Sequence, residues 1–483
     1  MSNRPNLIFI IADQLRADFL GCYGAGFVKT PHIDSLAAQG IRYTRAYSTS
    51  PVCVPARASL LTGMNSLRNG VTDNSLWLRP DLAACGIRTW PEMLNSAGYY
   101  TAGIGKMHFY PWDSNHGLQY RVAAEDKRWI HVRDEYYHFL RAHGERKYHG
   151  KEHDGYYENK GAIVNRLPWE LSVDHFVGTE TCRFLETYSG DGPFALMVSF
   201  PGPHCPYDPN QEFLDQVDPQ QVPPAIPGVP SDTAQLRRQN VAGNLRPWNG
   251  VDYGDFSAAQ KQKVRAHYAA LVNQIDFEVG RILEKLAELE LRDNTVIIFA
   301  SDHGDYLGDH DFIGKGTYYE SSTHIPLIAR SPNGPSGVHE GLVELTDVTA
   351  TLLCLGGAQP PQPMDARPLP ELGLPTQARD ILFGFVASGW MAYDGRWKLC
   401  KYATGEHHLF DLATDPQEQV NRINDVAALP ELRRLDDALT REVMRSTMLG
   451  SYAQKVDTSE MSQNPTFGKE GWQRPYPYAF GNP

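Results

Sequence analysis

Apolar and polar positions along this chain follow two periods in turn. Near the N-terminus, "NLIFIIAD" (6–13) is an unbroken apolar run that ends in an acid. A run with no polar face predicts a strand buried on both sides, with Asp13 at its carboxyl end. "TPHIDSLAAQG" then places Ile33, Leu36 and Ala37 at helical spacing between a Thr-Pro start and Gly40 as a stop, which predicts a short helix. "IRYTRAYS" alternates as a strand does, and "VPARASLLTG" opens on proline and closes on glycine, as helices do. "TWPEMLNSAGYYTAGIGK" (89–106) reads as helix, glycine cap and strand. "FALMVSF" (194–200), "TVIIFASDHGD" (295–305) and "IPLIARSP" (325–332) predict further strands. The strongest helix lies over 257–291, where Leu271, Ile275, Val279, Ile282, Leu286 and Leu289 form one stripe. "LTDVTATLLCLGG" predicts another helix.

Strands alternating with helices predict an α/β fold: a large mixed, mostly parallel sheet sandwiched by helices, spanning 1–365. Residues 107–170 show no clean period and read as an insertion on the active-site side; 216–253, rich in Pro, Gln and Asn, read as a loop excursion. After about residue 365 the style changes. "ILFGF", "WMAYDGRWKLCKY" and "HHLFDLATDP" are short strands with turns, and "AALPELRRLDDALTREVMR" is a helix. Residues 366–449 therefore predict a smaller α+β subdomain with a short antiparallel sheet. The tail 450–483 is polar with late aromatics and reads as an arm for homo-oligomerisation. No internal repeat is evident.

Composition narrows this picture. At 483 residues the chain exceeds one ordinary core. Its 41% apolar and 21% charged residues fit a globular protein. A net charge of −12 argues against a nucleic-acid partner, but leaves room for a local basic pocket. The apolar run 7–12 is too short for a secretory signal and no stretch reaches the length of a membrane span, so the expectation is a cytoplasmic protein with no membrane partner. Seven scattered cysteines without a CxxC pair predict neither a disulfide framework nor a zinc site.

Two buried strands end in polar pairs, Asp13-Gln14 and Asp302-His303. In an open α/β sheet ligands bind at the carboxyl ends of strands, so residues far apart in sequence can meet there. Carboxylates, an amide oxygen and an imidazole suit a divalent cation such as Ca²⁺, Mg²⁺ or Mn²⁺; each acid could equally cap the next turn. Cys53, in "PVCVPAR", is either a small buried hydrophobe or part of an anion site. Pro55 marks a helix start, whose free N–H groups welcome an anion, and Arg57 lies one turn on, able to fork onto a tetrahedral oxyanion.

The stretch Cys53-Val54-Pro55-Ala56-Arg57 followed by "ASLLTG" resembles the signature of formylglycine-dependent sulfatases, in the alkaline phosphatase superfamily. "NLIFIIADQ", "TPHIDSLAAQG", "GYYTAGIGKMHF", "SFPGPHCPY", "SDHGDYLGDHDFIGKGTYYESSTHIPLIA" and "WKLCKYATGEHHLFDLATDP" resemble the family in its order, over roughly residues 4–420. The resemblance implies that a separate formylglycine-generating enzyme oxidises Cys53. The hydrated aldehyde then attacks the ester's sulfur, and a covalent sulfo-enzyme intermediate collapses to release sulfate. It implies Asp13, Gln14, Asp302, His303 and the modified Cys53 as metal ligands, and Arg57 as the group steadying the nucleophile. Lys106 and His108 would bind the transferred group, His204 would face the leaving group, Lys315 would touch the substrate oxyanion, and Asn74 would line the pocket.

Many sulfatases carry Asp-Asp and Asp-Asn where this chain has Asp13-Gln14 and Asp302-His303. That combination resembles the choline-sulfatase and phosphonate monoester hydrolase branch, and its softer donor set places Ca²⁺ or Mn²⁺ ahead of Mg²⁺. The charged pair Lys106 and His108 favours a small sulfated substrate. Phosphonate monoester or phosphodiester hydrolysis is the alternative, and a catalytically silent metal-binding protein on this fold a second. Trp77, Tyr110, Trp112, Trp129, Tyr136 and Tyr137 either frame an aromatic rim or pack the insertion.

Overall fold

A computed structural model describes residues 4–452, apart from 80, 191, 361 and 362. The predicted arm therefore lies outside the described residues beyond 452. Eight strands build the main sheet: β1 (Asn6–Asp13), β2 (Ile41–Tyr47), β3 (Tyr100–Gly105), β4 (Tyr120–Ala123), β5 (Phe194–Pro203), β6 (Thr295–Ser301), β7 (Leu327–Arg330) and β8 (Gly337–Glu344). Their order is β4-β3-β5-β1-β6-β7-β2-β8. Every pairing is parallel except the two that β7 makes, with β6 and with β2. The sheet is mixed and mostly parallel, as its continuous apolar strands predict.

The central strands are apolar on both faces because both faces are covered. Ile8, Ile10 and Ala12 of β1 join the core under the helices Pro31–Gln39, Val173–Thr187 and Ala258–Glu288. Leu7, Phe9 and Ile11 point to the other core, under Cys53–Thr62, Trp90–Ser96 and Asp347–Gly356. The long helix starts on a capping box between Ser257 and Gln260 and ends at Glu288, so Leu289 falls just beyond the stripe.

A separate antiparallel sheet, β9 (Leu382–Val386), β10 (Gly389–Tyr393), β11 (Trp397–Tyr402) and β12 (His407–Asp411), packs against the helix Leu429–Tyr452 through Phe385, Leu399, Leu409, Leu435 and Leu439. Among the described residues no helix is long and apolar enough to cross a membrane.

Three expectations change. The excursion at 216–253 contains the helix Pro230–Asn244, kinked at Thr233. It is polar nearly all round, with Leu236 its one buried large apolar side chain, so it carries no apolar stripe to read. The insertion at 107–170 supplies β4, which extends the main sheet beside β3, and so is part of the fold. Of the six rim aromatics, Tyr136 is core, stacked near Phe139 and Phe176, and Trp77 packs on Phe109 and His116.

Candidate active site

The sheet explains how distant residues meet. Ala12 pairs with Ser301, so the next residues, Asp13 and Asp302, leave adjacent strands side by side. Lys106 follows the last residue of β3, and His204 follows the last residue of β5. Four neighbouring strands thus deliver their polar groups to one carboxyl edge. At Gly105, φ is 103°, and a Cβ there would stand 1.9 Å from the Ser199 carbonyl oxygen; only glycine turns Lys106 into this edge.

Cys53 opens the helix Cys53–Thr62 as its first residue, with Pro55 two positions inside, both within the first turn where proline is tolerated. All ten helix residues are buried, and Cys53 Sγ lies 3.2 Å from His303 Nε2 and 3.6 Å from Asp13 Oδ1. One ligand atom each from Asp13, Cys53, Asp302 and His303 falls within 4.8 Å of the others. His303 Nδ1 lies 2.9 Å from the Gly304 carbonyl, which takes the ring N–H and leaves the Nε2 lone pair facing the cluster. Two carboxylates, an imidazole and residue 53, all buried and converging, fit a divalent cation. Burial and Asp13 oppose ionisation of the Cys53 thiol, but Lys315, Lys106 and His303 outweigh them and pull it below its ordinary range. Asp13 is likewise held well below the usual carboxylate range: burial works against it, while the cations Lys106, Arg57 and Lys315 stabilise the anion.

Gln14, the remaining expected ligand, follows Asp13 and borders these four. Its Oε1 accepts from Lys315 Nζ at 2.5 Å, its Nε2 donates to Asp305, and its backbone N–H donates to Asp302 Oδ1 at 2.9 Å. Its φ of 72° is uncommon for a side-chain-bearing residue, a strain that clusters at functional sites. Arg57 differs from the substrate fork expected of it. Its Nε donates to Asp302 Oδ2 at 3.0 Å, and Nη1 donates to the Lys106 carbonyl and to Ser199 Oγ. Only Nη2 lacks an aligned partner, 3.0 Å from Asp302 and 3.8 Å from Asp13. Arg57 fixes the orientation of Asp302 and closes the floor of the site.

Lys106 is fully buried and donates to Asp13. His108, also in a left-handed conformation, is pushed well below its usual pKa by burial and by Lys106 and Arg57. His204 Nδ1 lies 2.7 Å from the Cys205 carbonyl, while Nε2 lies 2.7 Å from Lys315 Nζ and 3.2 Å from Arg128 Nη2. Burial and these two cations hold the ring neutral, with Nε2 as acceptor. Asn74 Oδ1 accepts the Val54 N–H at 3.0 Å, capping the Cys53 helix from the pocket wall.

A model of the sulfatase family matches residues 5–358. The chain belongs to the sulfatase family. It is 30% identical over 476 residues to an arylsulfatase of Clostridium perfringens, covering 91% of this chain and 94% of that relative. It is 29% identical over 446 residues to a choline-sulfatase of Rhizobium meliloti, covering 87% and 82%. The phosphonate monoester hydrolase of Agrobacterium radiobacter superposes with a TM-score of 0.73 at 24% identity, over 94% of this chain and 97% of that one, a likeness of fold.

This sulfatase-family site holds further residues that sequence reasoning missed, all just after β4. Glu125 accepts the backbone N–H groups of Met107 and His108, fixing the loop that carries Lys106. Asp126, buried, accepts from Lys106 Nζ at 3.3 Å and from Arg128 Nε and Nη2 at 2.9 and 2.6 Å, and lies 3.9 Å from His204. One carboxylate so ties Lys106 to Arg128 and His204. In front of them opens a cavity of about 520 Å³, bounded by Gln14, Asn74, His204 and Lys315 at its inner end and by Arg128, Trp129, Arg246, Trp248 and Val386–Ser388 further out. Of the predicted rim aromatics Trp129 lines it; Tyr207, Tyr253, Phe312 and, from the excursion, Trp248 line it unforeseen.

Proposed function

We propose that this protein hydrolyses sulfate monoesters of a small organic or aryl alcohol, using a formylglycine made from Cys53 and one divalent cation, Ca²⁺ or Mn²⁺. The buried convergence of Cys53, Asp13, Asp302 and His303, ringed by Lys106, Lys315 and Arg57, carries this reading. The family match and the names of the relatives support it. Hydrated formylglycine supplies one hydroxyl as nucleophile toward sulfur and a second that expels sulfate and restores the aldehyde. A divalent cation would be held by Asp13, Gln14, Asp302, His303 and the oxygen of residue 53, and would supply Lewis acidity that lowers the hydroxyl's pKa.

The chain's own side chains do the rest. Lys106 and His108 line the edge where the transferred group sits, and Lys106 offers positive charge to its oxygens. Lys315 and His204, 2.7 Å apart, stand on the leaving-group side, where the ammonium can hand a proton toward the departing alkoxide. Arg57, locked on Asp302, holds the ligand set in place.

The test is mass spectrometry of the 51–60 peptide, followed by kinetics on protein verified to carry formylglycine. A mass loss at Cys53, activity abolished in Cys53→Ala, and a higher kcat/KM for aryl sulfate than for phosphonate monoester or phosphodiester are expected. Chelation should lower both activity and the melting temperature. An active enzyme with unmodified Cys53 would sink the formylglycine mechanism.

A further inference from the structure

The outer half of the cavity is charged in one direction. Arg128 and Arg246 line it, against a single carboxylate, Asp73. Asp73 Oδ1 already accepts from the backbone N–H and hydroxyl of Ser75, at 2.8 and 2.6 Å. Arg128 is countered by Asp126, a carboxylate it shares with Lys106, which also pairs with Asp13. Arg246 is exposed at the mouth and makes no ion pair or side-chain hydrogen bond among the described residues.

The remaining polar groups sort themselves. The amides of Asn240, Asn244 and Asn249 are engaged within the wall: Asn240 pairs with the Ile313 backbone, Asn249 Nδ2 donates to Asn244 Oδ1, and Tyr156 OH donates to Asn249 Oδ1. Gln239 is left with an amide that can donate or accept, and two further groups are donors. Trp129 Nε1 is buried without a partner, and the Arg246 guanidinium stands open. Nor do the aromatics form a cage for a cation. The Arg128 guanidinium lies 4.6 Å from the centre of the Trp248 ring and so occupies the face that a quaternary ammonium would need.

We propose that this outer pocket reads a second negative charge on the substrate: the alcohol carries a carboxylate or a further sulfate, and a quaternary ammonium alcohol is rejected. This rests on the sulfate-ester reading above. Arg246 and the Trp129 indole N–H bind the second anion, and Arg128 on Trp248 repels a cation placed there.

The experiment compares kcat/KM on formylglycine-verified full-length protein. The probes are para-nitrophenyl sulfate, the same ester bearing a ring carboxylate, choline sulfate, and the neutral carbon isostere of choline sulfate. The carboxylated ester should exceed its parent by about tenfold, the effect of one charge-assisted contact. Choline sulfate should fall below its neutral isostere. Arg246→Glu should abolish the first preference and narrow the second, while Arg246→Lys should keep both. Equal rates for the carboxylated and parent esters, unchanged ratios in Arg246→Glu, or choline sulfate outrunning its isostere overturn the inference while leaving the sulfate reading intact. No turnover of any sulfate ester, with a phosphonate monoester hydrolysed, overturns the sulfate reading and this inference with it.

Discussion

Asp126→Asn is the perturbation that best separates a wired site from a collection of side chains. The carboxylate is 1% exposed and holds Lys106 and Arg128 at once. Burial opposes its ionisation, yet Arg128 and Lys106 keep it well below the usual carboxylate range. Asparagine keeps the shape and one acceptor oxygen but removes the charge. Breaking a buried ionic network by removing a partner costs about 3–5 kcal/mol; with one oxygen retained and Lys106 still on Asp13, about 3 kcal/mol is expected. Groups that orient ligands from behind typically change activity about 10- to 100-fold when lost. Under the proposed mechanism Lys106 and His204 face charge that develops during transfer, so the loss should fall on kcat, with KM moving less than about twofold. Steady-state kinetics with an aryl sulfate and a thermal melt on the same formylglycine-verified sample decide it. A lowered melting temperature with kcat within about twofold of wild type refutes the coupling and leaves Asp126 a structural residue.

Two further outcomes follow from groups outside the chemistry. His267 is buried with Nδ1 3.0 and 3.1 Å from the carbonyls of Ile163 and Tyr207, and burial lowers its pKa to about 4 despite those contacts. Its folded pKa lies below the unfolded value, so its contribution is complete above about pH 6.5 and is lost as pH falls toward about 4. Between pH 7 and pH 5 this amounts to about 2 kcal/mol, and His267→Gln should flatten that part of the urea-unfolding profile; an identical slope in wild type and variant would contradict it. Gly105→Ala should cost several kcal/mol, on the order of 3, because a Cβ meets the Ser199 carbonyl oxygen and φ is 103°; expression and melting temperature read it, and a variant as stable as wild type would show that β3 can shift.

What was legible in the sequence was whatever local pattern encodes. β1 and β6 announce themselves as apolar runs that end in Asp13 and Asp302-His303, and two such ends in a parallel sheet have to share an edge. The Cys53 helix was readable from its proline and glycine. The wiring behind these groups was not, because it depends on contacts no local period records. Glu125, Asp126 and Arg128 follow a strand of four residues inside a stretch of mixed charge and aromatics, and acquire meaning only when β4 lies beside β3. Arg57 shows the same limit: its position one turn from Cys53 predicted reach toward an anion, whereas Asp302, the Lys106 carbonyl and Ser199 consume its Nε and Nη1 donors. The helix 230–244 and its successor Trp248 were hidden because a polar helix that forms a pocket wall has no apolar face to betray it.

The small C-terminal sheet belongs to the catalytic unit for a mechanical reason. The Phe385 N–H donates to the Thr49 carbonyl and the Ala387 N–H to the Thr72 carbonyl, so β9 and the residue after it grip the chain on both sides of the Cys53 helix. Ser388 Oγ donates to the Gly316 carbonyl at 2.6 Å, next to Lys315. Lys398 of β11, fully buried, pairs with Glu320 at 2.8 Å and Glu418 at 2.5 Å, tying the sheet to the segment just beyond Lys315. The parallel sheet fixes Asp13, Lys106, His204 and Asp302 from below. Cys53, Asn74 and Lys315 sit on segments that need a second anchor, and the small sheet provides it while lending Val386–Ser388 to the pocket wall. The strand ends are thereby held where they cannot move independently, while Arg246, Trp248 and this second sheet supply pocket wall that, among the described residues, is not hydrogen-bonded to them.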